Sequence, residues 1–577
     1  MHDATVAVAG PASALPRREP TRSPRMRFRL PLTTIVCSAA VLAGLTGCTG
    51  KVEPAPIGRN PGTKTPPIVT RPQPVPDAGT VVDGGTADSG TAPDPTDPPP
   101  TDPPPPTDPP PTDPPPAEPQ YTRVLWVSPN GSDTAAGSEG QPLRTVARAL
   151  ALVKPGEAVF LQSGTWREHV QLQEKQGTAA KPLTLRAAPG ATAILKGGSI
   201  GKTALVDVSG AYWNIEGLTV DVGGESTFAV MWRGAGAHHG VLKNSIVKNG
   251  TEGAGVYVTE KAHDVLIEDN DISHFDKGDE DSHGVAVQTS ASNVVVRGND
   301  IHHNSGDGVQ CLGPEGGATL PGTPFDNLLV EGNKLHDNRE NGADIKTCTR
   351  VTLRGNTIYN HRGVSSAAGE GIVVHLSPSD VTLEDNVLYA NARAIQIGGY
   401  REGAPPTRVI IRRNLIHDGL GDSEGEEGTG IRVDTSVNVK VQHNTVWNVS
   451  GACLIFGEGA SGASQGLDVR NNIFAGCGLA ARGGSGRSGA VMDGNLFFLN
   501  GGAATFRLDN AAMGLAEWRS KAGLDKRSQE RAPGFVDTGA DDYRLTPASV
   551  AREAGLSLGL PFCGAAPDQG AFESGCP

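Results

Sequence analysis

The sequence predicts an all-β solenoid, and three observations carry the prediction. The first is repetition. The segments VLKNSIVKNG, VLIEDNDISHF, VVVRGNDIHHN, LLVEGNKLHDN, VTLRGNTIYNH, VTLEDNVLYAN, VIIRRNLIHDG, VKVQHNTVWNV and LDVRNNIFAGC share a pattern, apolar-x-apolar-x-x-Asn-x-apolar. Its aligned asparagines are Asn244, Asn270, Asn299, Asn333, Asn356, Asn386, Asn414, Asn444 and Asn472. Their spacing of roughly 23 to 34 residues matches one solenoid turn. The second is alternation of period two within each segment, which marks strands and not helices. The third is size. About 450 residues follow a proline-rich stretch, more than one ordinary core would hold. A solenoid escapes that limit because each repeat needs only its neighbours.

The elements follow in chain order. MRFRLPLTTIVCSAAVLAGLTGC has a basic head (Arg27, Arg29), a short apolar run and then LTGC. That order is a secretory signal, and the run is short for a spanning helix. LTGC resembles a bacterial lipobox, which implies lipidation of Cys48. An ordinary signal peptide is the alternative, and Met26 is an alternative start. Residues 54–119 hold most of the prolines. Such a segment buries no core and favours extended polyproline II, a spacer reaching on the order of 200 Å at ~3.1 Å per residue. The expected organisation is a signal region at 1–47, a lipidated N-terminus and disordered proline-rich linker at 48–120, coils at 121–500 and a C-terminal capping segment at 501–577. The expected place is outside the cytoplasm, lipid-anchored at the outer membrane or cell surface, as a monomer. The net charge of −13 argues against nucleic acid as a partner.

Within the coils, a second short strand precedes each repeat: GVYVT, GVAVQ, GVQCL, GADIK, GIVVH, AIQIG and GIRVD. At the start, Leu143, Val146, Leu150 and Val153 have helical spacing and suit a short capping helix. Coils of two or three short strands without intervening helices resemble the right-handed parallel β-helix of the pectate-lyase-like superfamily. The resemblance covers about residues 121–500. LWVSPNGSDTAAGSEGQPLRTVARALALVKPGEAVFLQSGTWRE is similar to its opening coil, and PGFVDTGADDYRLTPASVAREAG to the closing segment of bacterial surface β-helix proteins.

Repetition disposes of several tempting residues. The turn asparagines read as a hydrogen-bonding ladder, since stacked amides satisfy one another. His302, His336 and His417 share a column with Tyr359 and Tyr389, and a metal site would not accept tyrosine in place of histidine coil after coil. That column reads as turn packing. Eight cysteines suit an oxidising exterior. Cys453 with Cys477, and Cys563 with Cys576, are candidate disulfides. Cys311 with Cys348 is the loosest pairing, and each cysteine is equally able to be a small buried side chain. Trp213, Trp232 and Tyr400 are either sugar-stacking platforms or packing.

What the fold does not need lies on the outward face of the glycine-led strands. Alternation turns Asp344 and Lys346 outward from GADIK, Gln310 from GVQCL, Gln288 from GVAVQ, His375 from GIVVH, Gln396 from AIQIG and Arg432 from GIRVD. The turns add Asp307 and Glu370, and Asp281 lies in a flanking acidic cluster. Such a patch suits β-elimination on a uronic-acid polysaccharide. A cation at the C6 carboxylate stabilises the enolate-like intermediate while a base removes the C5 proton. NGADIK resembles the strand that carries the catalytic lysine in the family 9 pectate lyases. The resemblance implies Lys346 as base, calcium as cofactor, and Asp307 and Asp344, with Asp281 and Glu370, as calcium ligands. His375 is the candidate second proton-transfer group. Gln288, Gln310, Gln396 and Arg432 are candidate substrate-binding residues. The family's compact run of aspartates one coil upstream is absent, since SGDGVQC offers only Asp307. A non-catalytic surface carbohydrate-binding or adhesive rod is the main alternative. A C5 epimerase or a glycoside hydrolase ranks lower, and the paired DD of the superfamily's hydrolases is missing.

Overall fold

The computed structural model describes residues 120–576, apart from 174, 199–200, 289, 313–323, 364–366, 399–403, 420, 422–427, 460–462 and 500–502. Cys48, the proline-rich linker and Tyr400 lie outside the described residues. Among the described residues, three sheets of 15, 14 and 14 strands run along the molecule, and within each the chain returns every third strand. Almost every pairing is parallel, so each coil adds one strand to each sheet. This is a parallel β-helix. Its core is a continuous column of inward Val, Ile and Leu from all three sheets.

A helix, α1 (Val146–Leu152), covers the first coil. Thr145 caps it by accepting from the Arg148 N–H. Glu168 accepts from the Val146 and Ala147 N–H groups at 3.1 and 3.0 Å, satisfying donors that a helix start leaves open. Leu143, Val146, Leu150 and Val153 are all buried, as their spacing predicts, although Leu143 and Val153 stand just outside the helix. At the far end the coils continue past residue 500. Phe506–Leu508 and Gln529–Glu530 still pair in parallel, and the closing segment begins with a second helix, α2 (Leu515–Ala522).

The asparagine ladder is real and runs further than the repeat suggests. Each Oδ1 from Asn270 to Asn495 lies one coil on from the residue it serves, accepting from that residue's backbone N–H and, for the asparagines, from its Nδ2. One alignment needs correction. Asn244 is not a rung. Ser245 takes that place, its N–H donating to Asn270 Oδ1, while Asn244 occupies the left-handed bend just before it at φ 51°. A second ladder, Asn304–Asn338–His361–Asn391, follows five residues after the first. The His/Tyr column is a stack of rings. Centroid separations from His302 through His336, Tyr359 and Tyr389 to His417 are 5.0, 4.7, 4.8 and 5.2 Å. The rings show each other their faces, so no face is left for a sugar. Trp213 and Trp232 are buried and serve packing.

Disulfides join Cys311 to Cys348, Cys453 to Cys477 and Cys563 to Cys576.

Candidate functional site

Five consecutive strands of the second sheet build the site: β1 (Val309–Leu312), β2 (Ala343–Ile345), β3 (Glu370–Val374), β4 (Arg393–Ile397) and β5 (Thr429–Val433). Their inward residues Val309, Ala343, Ile345, Ile372, Val374, Ile395 and Ile397 are fully buried. Parallel register then fixes the outward column: Gln310 lies beside Asp344, Asp344 beside Val373, Val373 beside Gln396 and Gln396 beside Arg432. Glycine at the head of β2 is a steric requirement. A Cβ on Gly342 would stand 2.5 Å from the Gly371 carbonyl oxygen of the next coil.

Asp344 is the centre. Its Oδ2 lies 3.0 Å from Lys346 Nζ and its Oδ1 2.9 Å from His375 Nε2. The Lys346 N–H donates to the Cys311 carbonyl and the His375 N–H to the Ile345 carbonyl, so sheet pairing extends just past the strand ends and holds both side chains over Asp344. All three point away from the core, yet Asp344 and His375 are buried among their polar neighbours. Lys346 keeps 21% of its side chain in contact with solvent, enough for a ligand to reach it.

A second group lies on the turn side. Asp307 is fully buried. Its Oδ1 accepts from Asn341 Nδ2 at 2.8 Å, and its Oδ2 faces His283 Nδ1 at 3.2 Å and Gln310 Nε2 at 3.4 Å. Asn341 Oδ1 in turn accepts from the Glu370 N–H. Arg393 Nη1 lies 3.5 Å from Glu370 Oε1 and donates to Gln396 Oε1 at 3.2 Å. Gln396 Nε2 reaches Asp434 Oδ2, which Arg432 holds at 2.7 Å. Gln288 sits at the near edge, accepting from the Tyr257 hydroxyl at 2.7 Å.

The electrostatics separate the carboxylates. Burial works against charge on Asp344, but Lys346 and His375 outweigh it and hold its carboxyl well below the usual range. Burial also works against charge on Lys346. The negative charges of Asp344, Asp307 and Glu340 outweigh that, and the ammonium is held above the ordinary lysine value. Burial pushes the Glu370 carboxyl up against the charge of Arg393, and its Oε2 is buried with no hydrogen-bond partner among the described residues.

The expected calcium set does not assemble. Asp281 is turned away, paired with Arg339 at 3.3 Å on a half-exposed loop. Both oxygens of Asp307 and both of Asp344 are already engaged, Asp307 by the side-chain amides of Asn341 and Gln310 and Asp344 by Lys346 and His375. Among the described residues, no three of Asp281, Asp307, Asp344 and Glu370 bring ligand oxygens within 4.8 Å of one another. Calcium takes six to eight oxygens, and these residues do not offer that cage. The candidate proton-transfer pair, Lys346 and His375, does meet on one carboxylate. Asn341 and Arg393 escaped the sequence reading. Asn341 stands just before the glycine of a glycine-led strand, in the column of Asp307 and Glu370, and that position was its available signal.

The chain is similar to several known proteins. The chain is 23% identical over 458 residues to the uncharacterized protein YwoF of Bacillus subtilis (strain 168), spanning 74% of this chain and 92% of that one. It is 37% identical over 87 residues to pectate lyase PEL9 of Emericella nidulans, which is 15% of this chain and 21% of that protein. The crystal structure of pectate lyase Pel9A aligns at 16% identity over 79% of this chain and 97% of that one, with a TM-score of 0.39. Residues 125–400 match the family described as "Pel9A-like, right handed beta helix region", and residues 364–515 match the "Right handed beta helix region". With its three parallel sheets, the chain is therefore a right-handed parallel β-helix, similar over residues 125–400 to the Pel9A-like region.

Proposed function

We propose that this protein acts on a polysaccharide at the outward face of β1–β5, as a lyase that cleaves a uronic-acid polymer by β-elimination. One observation carries the reading: Asp344, Lys346 and His375 converge where the fold requires no polar residue at all. The match to the Pel9A-like family and the short stretch shared with a pectate lyase support the reaction class.

In this reading Lys346 takes the C5 proton, and Arg393 and Arg432 face the acidic groups of the polymer. Lys346 holds its proton tightly in the resting site. The unprotonated amine is therefore scarce at neutral pH, and the elimination rate rises on the alkaline side, up to about tenfold per pH unit below the lysine pKa. No step passes through calcium. The domain is held outside the cytoplasm through Cys48 and the proline-rich spacer, a placement supported by the LTGC sequence and by the three disulfides.

The test incubates the protein with pectate, alginate and glycosaminoglycans across pH 6 to 11, with calcium and with a chelator, and follows the ultraviolet absorbance of the unsaturated product. Absorbance that grows with pH supports the proposal. New reducing ends without absorbance would mean hydrolysis. A second reading, a binding rod without catalysis, is favoured by the dense pairing of the charges, Lys346 with Asp344, Arg432 with Asp434 and Arg393 with Glu370. Retention of one polymer on the immobilised protein with no product at any pH selects it.

A further inference from the structure

A hairpin from the closing segment, Phe535–Asp537 paired antiparallel with Asp542–Leu545, lies against the outward ring stack of the third sheet. Tyr543, 1% exposed, continues that stack, its ring 5.1 Å from that of His417. Phe535 packs on Trp447 with ring centroids 5.5 Å apart. Apolar contact explains the docking. It does not explain the polar group at its edge.

Three side chains converge there. His417 is buried, with Nδ1 2.9 Å from Asp418 Oδ2 and 4.0 Å from Asp541 Oδ1. One ligand atom from each lies within 4.8 Å of the other two. Asp418 belongs to a coil and Asp541 to the bend of the hairpin, where it holds a left-handed conformation at φ 57°. Two carboxylates therefore face each other across the seam between coil and closing segment. A fourth group points the same way. The Tyr543 hydroxyl is buried beside these carboxylates and makes no hydrogen bond of good geometry. Burial, and then the charges of Asp418 and Asp541, push the phenol up. The site stays open, because the side chains of Asp418 and Asp541 are 43% and 68% exposed.

We infer that His417, Asp418 and Asp541 form a divalent transition-metal site that pins the closing hairpin to the β-helix. One imidazole nitrogen with two carboxylate oxygens is a borderline donor set that suits zinc. It does not suit calcium, which takes more oxygens and no imidazole. His417 supplies Nδ1, and the Tyr543 hydroxyl stands ready to donate to a carboxylate oxygen or a metal-bound water. Asn448 Nδ2 donates to Asp418 Oδ1 and orients that ligand from the next coil. The ion holds together two segments distant in sequence, so its gain is stability of the cap. This site is separate from the face of the second sheet and stands or falls independently of the lyase reading.

Zinc chloride added to the full-length protein tests it, read by titration calorimetry and by thermal unfolding. The expected result is saturable binding and a midpoint raised by roughly 3 °C at a hundredfold excess over Kd. Asp541→Asn, at an exposed bend, should fold normally, bind one zinc fewer and lose the rise. Calcium chloride at the same concentration should give no rise. The proposal is overturned if Asp541→Asn binds as much zinc as the parent, if the parent binds none, or if calcium stabilises equally. His417→Gln removes the nitrogen ligand together with one ring of the stack, so it is read by zinc stoichiometry and not by midpoint: full zinc uptake in that variant would also overturn the proposal.

Discussion

Two edges of the same coil obey opposite rules. Along the bend that carries the asparagine ladder, one residue type recurs from Asn270 to Asn495, and each amide serves the coil below it. Along the outward face of the second sheet the side chain changes at every step, from Gln310 to Asp344, Val373, Gln396 and Arg432. The first edge solves a problem every coil shares, a bend whose N–H groups would otherwise be buried without partners. The second solves no such problem, because its backbone is already paired in the sheet. In a solenoid, repetition therefore marks structure, and a polar departure from repetition marks a place where something else is asked of the chain.

Breaking the second edge should give the largest effect. Lys346→Met should lower lyase activity by about 10²- to 10⁴-fold, the range for removing a proton-transfer group, as measured by initial rates on the responsive polymer. Full activity in that variant would remove Lys346 from the mechanism. Breaking the first edge should cost stability and spare the reaction. Asn386→Ala leaves the Asn356 N–H and Nδ2 without their acceptor, a loss of about 2–3 kcal/mol in denaturant unfolding. Gln288→Ala on the other edge, where sheet pairing is untouched, should stay within about 1 kcal/mol.

A pH-dependent effect sharpens the comparison within the second ladder. His361 stands where neighbouring coils carry Asn338 and Asn391. Its Nε2 faces the amide donor of Asn338 and its Nδ1 faces Asn391 Oδ1, a setting for neutral imidazole. Burial lowers it from 6.5 to about 4. The folded group thus binds fewer protons than the unfolded one between those values. Stability is full above pH 6.5 and falls as the pH drops toward 4, by up to about 1.4 kcal/mol per pH unit. His361→Asn keeps the ladder and should flatten that slope, as checked by unfolding midpoints at pH 4.5, 5.5 and 6.5. An unchanged slope would place the acid sensitivity elsewhere, with His443, also near 4, as the next group to replace.

The fold was largely legible because its causes are local and repeated. Period-two alternation sets which side chains enter the core, and a recurring asparagine announces each bend. The error at Asn244 has the same origin: two adjacent polar residues offer the rung, and only pairing with Asn270 shows that Ser245 takes it. Alternation also brought Asp344 and Lys346 to one face, since both belong to one strand. It could not show that His375 closes on Asp344, that Asp281 turns to Arg339, or that Arg393 reaches Glu370. Those contacts join different coils, and their registers depend on loop lengths that vary from turn to turn.

The sequence by itself thus determined the architecture, the inward and outward faces and the charged pair at the centre of the candidate site. Periodicity is a property of the chain, and it survives without coordinates. Only the tertiary structure decided how the carboxylates are used. Asp307 is engaged by Asn341 and Asp344 by His375, each from another coil, so they do not gather into a calcium cage. His417 and Asp541, far apart in the chain, meet because the closing hairpin folds back onto the ring stack. Charge and side-chain type can be read along a chain. Distances between turns follow from stacking, and stacking exists only once the coils are closed.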